Sequence, residues 1–186
     1  MELSEVDKRF LLKIARSAIK STLEGKVPEK PKVDSKALSE RSGVFVTLKI
    51  NGDLRGCIGY IEPVFPLVEA TQEVAIKAAF EDPRFPPLTF SEFDAVEIEI
   101  SVLSPLEELD DFEKIEIGKH GLVIDAGFRR GLLLPQVAVE YGWDREEFLR
   151  HTALKAGLPP ESWRRKDVKL YTFTVQKFSE ADFGNT

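Results

Sequence analysis

Apolar positions at helical spacing open the chain. Leu3, Val6, Phe10, Ile14 and Ala18 recur three to four residues apart, supported by Leu11, Ala15 and Ile19, and predict an amphipathic helix. Ser4 followed three residues later by Asp7 resembles a capping box, and Gly25 is a stop signal. The polar face reads as a mixture of acids and bases, so this helix is expected to pack on a core and not on a membrane surface. Residues 27–41 form a connector, in which Pro28 and Pro31 bar a helix. A hairpin follows. Residues 43–50 (GVFVTLKI) are rich in β-branched side chains, Asn51-Gly52-Asp53 is a turn, and 54–61 (LRGCIGYI) runs back. Residues 66–80 predict a second helix with Leu67, Ala70, Val74, Ala75 and Ala78 on one stripe and Pro66 at its first position. Pro83, Pro86 and Pro87 end it and make 82–88 a stiff loop.

Residues 95–103 alternate, with Val96, Ile98, Ile100 and Val102 against Glu97, Glu99 and Ser101, which predicts a strand with one wet face. Residues 106–117 are acidic and have no clear period. Strands are expected at 121–126 and 132–134 around a turn at 127–131. Pro135 opens a helix through Val139 and Glu140. Asp144 caps another, with Phe148, Leu149 and Leu154 facing inward and Gly157 closing it. Residues 168–178 alternate again as one late strand, and the tail 179–186 is expected to fray. Helices and strands interleave without a βαβ rhythm. The expectation is an α+β fold with a mainly antiparallel or mixed sheet and flanking helices, forming one domain over 1–186 with a smaller strand-rich lobe near 85–135.

Composition narrows the setting. Of 186 residues, 42% are hydrophobic and 31% charged, which fits a globular domain and not a disordered one. No apolar run approaches the roughly 18 residues of a membrane span. Charges break the apolar residues of the N-terminal segment, so a signal peptide is not expected. Cys57 stands alone, which excludes an internal disulfide and fits a reducing, cytoplasmic compartment. A net charge of -6 argues against bulk attraction to nucleic acid or anionic lipid. One methionine, one cysteine and few amides stand against 26 Lys and Arg and 32 Asp and Glu, a thermophile-like balance.

The stretch 54–59 (LRGCIG) carries the most chemistry. On a regular strand Arg55 and Cys57 share a face, and a guanidinium beside a thiol favours the thiolate. Gly56 and Gly59 carry no Cβ and allow a ligand or a second backbone to approach. The alternative is structural, with Cys57 a small apolar residue and Arg55 paired to an acid. His120, in 118–121 (GKHG), is either a base for Cys57 or a solvated turn histidine. His151 reads as a surface residue. Arg84, in 82–85 (DPRF), is either an anion holder on a rigid loop or the partner of Asp82, with Phe85 in the core. The basic runs at 129–130 and 164–166 read as solvated faces. Two histidines and one cysteine without ligand spacing give no expectation of a metal, and no Walker loop, GxGxxG or GxSxG is present to imply a cofactor or a hydrolase.

The hexapeptide LRGCIG also resembles the hallmark of the AMMECR-domain family. The resemblance extends in order through 43–48 (GVFVTL), 82–85 (DPRF), 101–105 (SVLSP), 118–121 (GKHG), 133–137 (LLPQV) and 155–158 (KAGL). It implies an α+β domain of two unequal lobes around a cleft, without an assigned reaction. It also implies association with a Memo-type domain and a radical SAM protein, beside which prokaryotic members often sit. Two functions follow. One is an enzyme or enzyme subunit of a redox or modification pathway, with Cys57 as nucleophile, Arg55 stabilising the thiolate, His120 moving protons, and Arg84, Gly56 and Gly59 holding substrate. The other is a non-catalytic interaction or scaffold module in which LRGCIG is a folding element. Oligomeric state is not legible.

Overall fold

The capping box predicted at Ser4 starts the first helix, α1 (Glu5–Leu23): the Ser4 hydroxyl accepts the N–H of Asp7, and the Asp7 carboxylate accepts that of Ser4, each at 3.1 Å. In this computed structural model, which describes residues 2–184, a short helix α2 (Lys36–Ser39) interrupts the connector. The hairpin β1 (Val44–Ile50) and β2 (Asp53–Tyr60) turns at Asn51 and Gly52, with φ of 51° and 83°. Two successive left-handed residues match the twist of the flanking strands, and Asn-Gly is the pair that tolerates them. Helix α3 (Leu67–Phe80) follows, with Pro66 as its N-cap and not its first residue. After the proline loop come a single-turn helix α4 (Phe90–Phe93) and strand β3 (Val96–Leu103).

Strand β4 (Glu107–Glu108) is two residues long. Strands β5 (Gly121–Asp125) and β6 (Arg130–Leu133) form the second hairpin. Pro135 opens α5 (Pro135–Tyr141), and Asp144 caps α6 (Arg145–Lys155) by accepting the N–H of Glu147 at 2.9 Å. The late alternating stretch is not one strand. It breaks at Thr174 into β7 (Lys169–Phe173) and β8 (Val175–Ser179), which join different sheets, in the orders β2-β1-β3-β8 and β4-β7-β5-β6. The break is held by a reciprocal pair: Ser104 N–H donates to Thr174 O at 2.9 Å and Thr174 N–H donates to Ser104 Oγ at 2.8 Å. Alternation alone does not register such a crossing.

Two compact units result, residues 1–103 with 176–186 and residues 104–175. The smaller one thus begins after β3 and takes in α5 and α6, where the sequence placed a strand-rich lobe near 85–135. In the larger unit, Val44, Val46 and Leu48 share one sheet face with Ile98, Ile100 and Val102, and α1 and α3 bury it. The helices contribute Leu11, Ala15 and Ile19, and Leu67, Val74 and Ala78. Val6 is 76% exposed and lies outside that stripe. In the smaller unit, Leu122 and Ile124 pack with Phe148 and Leu149 of α6. Leu154, expected to face inward, is 51% exposed. The segment after β8 is not frayed through Phe183: Glu180–Phe183 forms a 3₁₀ turn capped by Ser179 and Asp182, while residues 185 and 186 of the expected frayed tail lie outside the described residues.

Gly56 is where sheet and helix meet most closely. A Cβ there would overlap the carbonyl oxygen of Ala78 in α3. Overpacking against backbone leaves no side chain free to yield, so Gly56→Ala should cost about 2 kcal/mol. That corresponds to a melting temperature lower by roughly 4–8 °C. Gly25→Ala meets open space and carries only the strain of φ 71°, so its loss should be about 1 kcal/mol. Calorimetry of the two variants checks the order.

Candidate functional site

Strand β2 is an edge strand, and the proline loop covers it. Its pairing with β1 is regular from Tyr60 back to Gly56 and then skips: Leu48 faces Gly56 and Lys49 faces Leu54, so Arg55 sits in a bulge. The skip moves Leu54 to the face of Lys49, where a regular strand would have put it with Gly56. Cys57 stands opposite Thr47 and Gly59 opposite Phe45, on the sheet face away from α3. A Cβ on Gly59 would overlap the Phe45 ring, so the space spared by that glycine is already filled.

Arg55 is 7% exposed, and its guanidinium is bound by Glu92 and a backbone carbonyl. Nε donates to Glu92 Oε2 at 2.7 Å, and Nη2 donates to Glu92 Oε1 at 3.1 Å and to Pro86 O at 2.8 Å. Nη1 is buried with no partner among the described residues. Of the two sequence readings, Arg55 beside a thiolate or Arg55 paired to an acid, the geometry has the pairing: Glu92 of α4 binds the cation at the bulge. Glu92 is held in turn by the N–H of Thr89 at 3.1 Å and its hydroxyl at 3.0 Å, a capping box on α4. The hydrogen bond from Arg55 dominates its ionisation and holds the Glu92 carboxyl down at about 2, against an ordinary value of 4.5.

Asp82, 4% exposed, is the second anchor. Its Oδ2 accepts the N–H of Cys57 at 3.0 Å and Arg84 Nη2 at 2.8 Å, while its Oδ1 accepts Arg84 N and Nε, both at 3.0 Å. The Arg84 guanidinium, first of all, holds the Asp82 carboxyl well below the usual carboxylate range, and the Cys57 N–H adds to it. Arg84 Nη2 also reaches Cys57 O at 3.4 Å. The loop thus grips both outward-facing polar groups of Cys57. Phe85 is not in the core; its ring lies 5.8 Å from the Arg55 guanidinium and 5.5 Å from that of Arg84. The Cys57 side chain is half-buried, with Sγ 3.2 Å from Thr47 Oγ1.

His120 belongs to the smaller unit. Its Nδ1 accepts the N–H of Glu116 at 3.0 Å, closing a turn that Gly118 permits with φ 91°. His151 is at the surface, its ring stacked 3.9 Å from Trp143. The structure therefore brings together Arg55, Gly56, Cys57, Gly59 and Arg84 and adds Thr47, Asp82 and Glu92. Glu92 went unread, although Thr89 followed three residues later by Glu92 is a capping-box signal. No group of three His, Cys, Asp or Glu side chains among the described residues could hold a metal ion. No helix there is long and apolar enough to cross a membrane.

The AMMECR1 family model matches residues 12–178. The chain belongs to the AMMECR1 family. Protein MK0488 of Methanopyrus kandleri is 52% identical over 184 residues, covering 93% of this chain and 88% of that protein. Protein MJ0810 of Methanocaldococcus jannaschii is 48% identical, covering 93% and 90%. The crystal structure of PH0010 from Pyrococcus horikoshii superposes with a TM-score of 0.80 at 48% identity, covering 92% of this AMMECR1 chain and 90% of that one. These relatives come from thermophilic archaea, in line with the composition.

The lowered carboxyls set the acid limb of stability. A carboxyl depressed by folding contributes fully above its unfolded value and loses its contribution as pH falls through its folded value. For Glu92 that window runs from 4.5 down to about 2. Urea melts should show stability falling across it. Glu92→Gln should flatten that fall and cost about 2 kcal/mol at neutral pH, because a buried guanidinium loses its carboxylate.

Proposed function

We propose that this AMMECR1 protein is a cytoplasmic, non-catalytic protein-interaction module in which LRGCIG is a structural brace. The observation that carries the reading is the bidentate Arg55–Glu92 pair with its third bond to Pro86 O, which commits the guanidinium to the fold. Arg84 is likewise engaged by Asp82. A nucleophilic thiol needs an adjacent base or cation to activate it. At Cys57 the hydrogen bond of Sγ is to the Thr47 hydroxyl, which removes no proton at neutral pH, and the nearby cation, Arg84, is already bound to both oxygens of Asp82. The partners to test first are a Memo-type protein and a radical SAM protein, the classes to which the family resemblance points.

Thiol chemistry decides between this reading and an enzyme. Iodoacetamide should alkylate Cys57 more slowly in the native protein than in guanidinium-unfolded chain at the same pH, since folding half-buries the sulfur and gives it a hydrogen bond. Cys57→Ser keeps a hydroxyl opposite Thr47, and should shift the melting temperature by no more than about 3 °C while leaving partner binding unchanged. A native alkylation rate above the unfolded rate would overturn the reading and return Cys57 to the role of nucleophile.

A further inference from the structure

Helix α1 carries a charge pattern that its role in the core does not explain. Between Lys8 and Leu23 it contains no acid, while Arg9, Lys13, Arg16 and Lys20 follow at spacings of four, three and four. Such spacing puts them on one face. The mixture of acids and bases read from the sequence holds for the first turn alone, where Glu5 and Asp7 sit. That face lines an open groove of about 570 Å³, with Phe93 and Phe183 on its other wall. The groove is built from residues of the larger unit.

The four cations are not equivalent. Arg16 is a fixed part of the floor: it binds both oxygens of Glu180, at 2.6 and 2.7 Å, and the carbonyl of Phe93 at 3.1 Å, with its guanidinium 4.9 Å from the Phe93 ring. Arg9 lies 4.8 Å from the Phe183 ring and pairs with Glu5 at the exposed end. The ammonium groups of Lys13 and Lys20 have no ion-pair or hydrogen-bonding partner among the described residues. Two phenyl rings stacked by arginines therefore lie beside two free lysines, on a protein whose net charge is -6.

We infer that this groove docks an extended acidic segment of a partner protein, one that alternates carboxylates with apolar side chains. The inference rests on the interaction-module reading and supplies the chemistry of the partner. From Arg9 to Lys20 the cations span roughly 16 Å at the helical rise. That is the reach of about five residues of extended chain. An extended segment presents alternate residues to opposite sides, so carboxylates can meet the lysines while apolar side chains lie on Phe93 and Phe183. A lipid surface fits less well, because the apolar face of α1 that would enter it is buried against α3 and the sheet.

Fluorescence anisotropy with a fluorescein-labelled Glu-Leu-Glu-Phe-Glu-Glu peptide and the full chain tests this. The expected result is saturable binding that weakens with added salt and falls at least about tenfold in Lys13→Glu/Lys20→Glu. Lys166→Glu, in the smaller unit, should stay within about twofold of the native chain. If circular dichroism shows the double reversal unfolded, Lys13→Gln/Lys20→Gln should still weaken binding about threefold. No binding, or binding indifferent to the lysines, overturns the assignment. So does tighter, lysine-dependent binding of inorganic tripolyphosphate or of phosphatidylserine vesicles than of the peptide. Such an outcome removes the groove assignment and leaves the module reading to the alkylation experiment, whose failure is a separate event.

Discussion

Two carboxylates from the segment between α3 and β3 hold the β2 edge of the sheet in the larger unit. Strand β2 has a neighbour on one side alone, so half of its backbone groups point away from the ladder. An uncovered edge invites pairing with another chain. Here Asp82 accepts the outward N–H of Cys57 and aligns Arg84 with its carbonyl, while Glu92 draws Arg55 out of the ladder at the bulge. The same segment is fixed at its start by the end of α3 and at its finish by β3. Gly56 lets α3 lie directly on the strand, so loop, helix and edge are positioned by one another. The arrangement gives the arginine and the two glycines of this short stretch structural roles.

Much of the architecture was legible because local signals agreed with tertiary outcome. The Asn-Gly turn, the capping box at Ser4, the cap at Asp144 and the alternation of 95–103 each specify a conformation through sterics or hydrogen bonds that act within a few residues. What escaped was set by contacts distant in sequence. At the bulge, Arg55 is held by Glu92, 37 residues later. At the break, Thr174 is held by Ser104, 70 residues earlier. The outward position of Leu154 follows from where α6 lies on its sheet, which a helical stripe alone does not specify.

The candidate site follows the same division. Residue chemistry pointed to the hexapeptide, and the fold does gather Arg55, Cys57 and Arg84 there. Its placing of Arg55 on the face of the thiol assumed an unbroken strand, whereas Arg55 sits in a bulge and pairs with Glu92. The pairing of Asp82 with Arg84 was among the structural alternatives, since a rigid Asp-Pro-Arg loop lets a carboxylate fold back on the cation two residues later. His120 could be placed in a glycine-rich turn from sequence. That its Nδ1 closes the turn depended on a 3.0 Å contact with the Glu116 backbone.

The chain path has a consequence of its own. Residues 104–175 enter after β3 and return at β8, and their two ends are tied to each other by the Ser104–Thr174 pair. Topologically they are an insertion, a self-contained lobe spliced into a host whose last strand is contributed from beyond it. Splice points that lie within hydrogen-bonding reach ask little of the host, so such a lobe can be exchanged, shortened or lengthened while the β2-β1-β3-β8 order is kept.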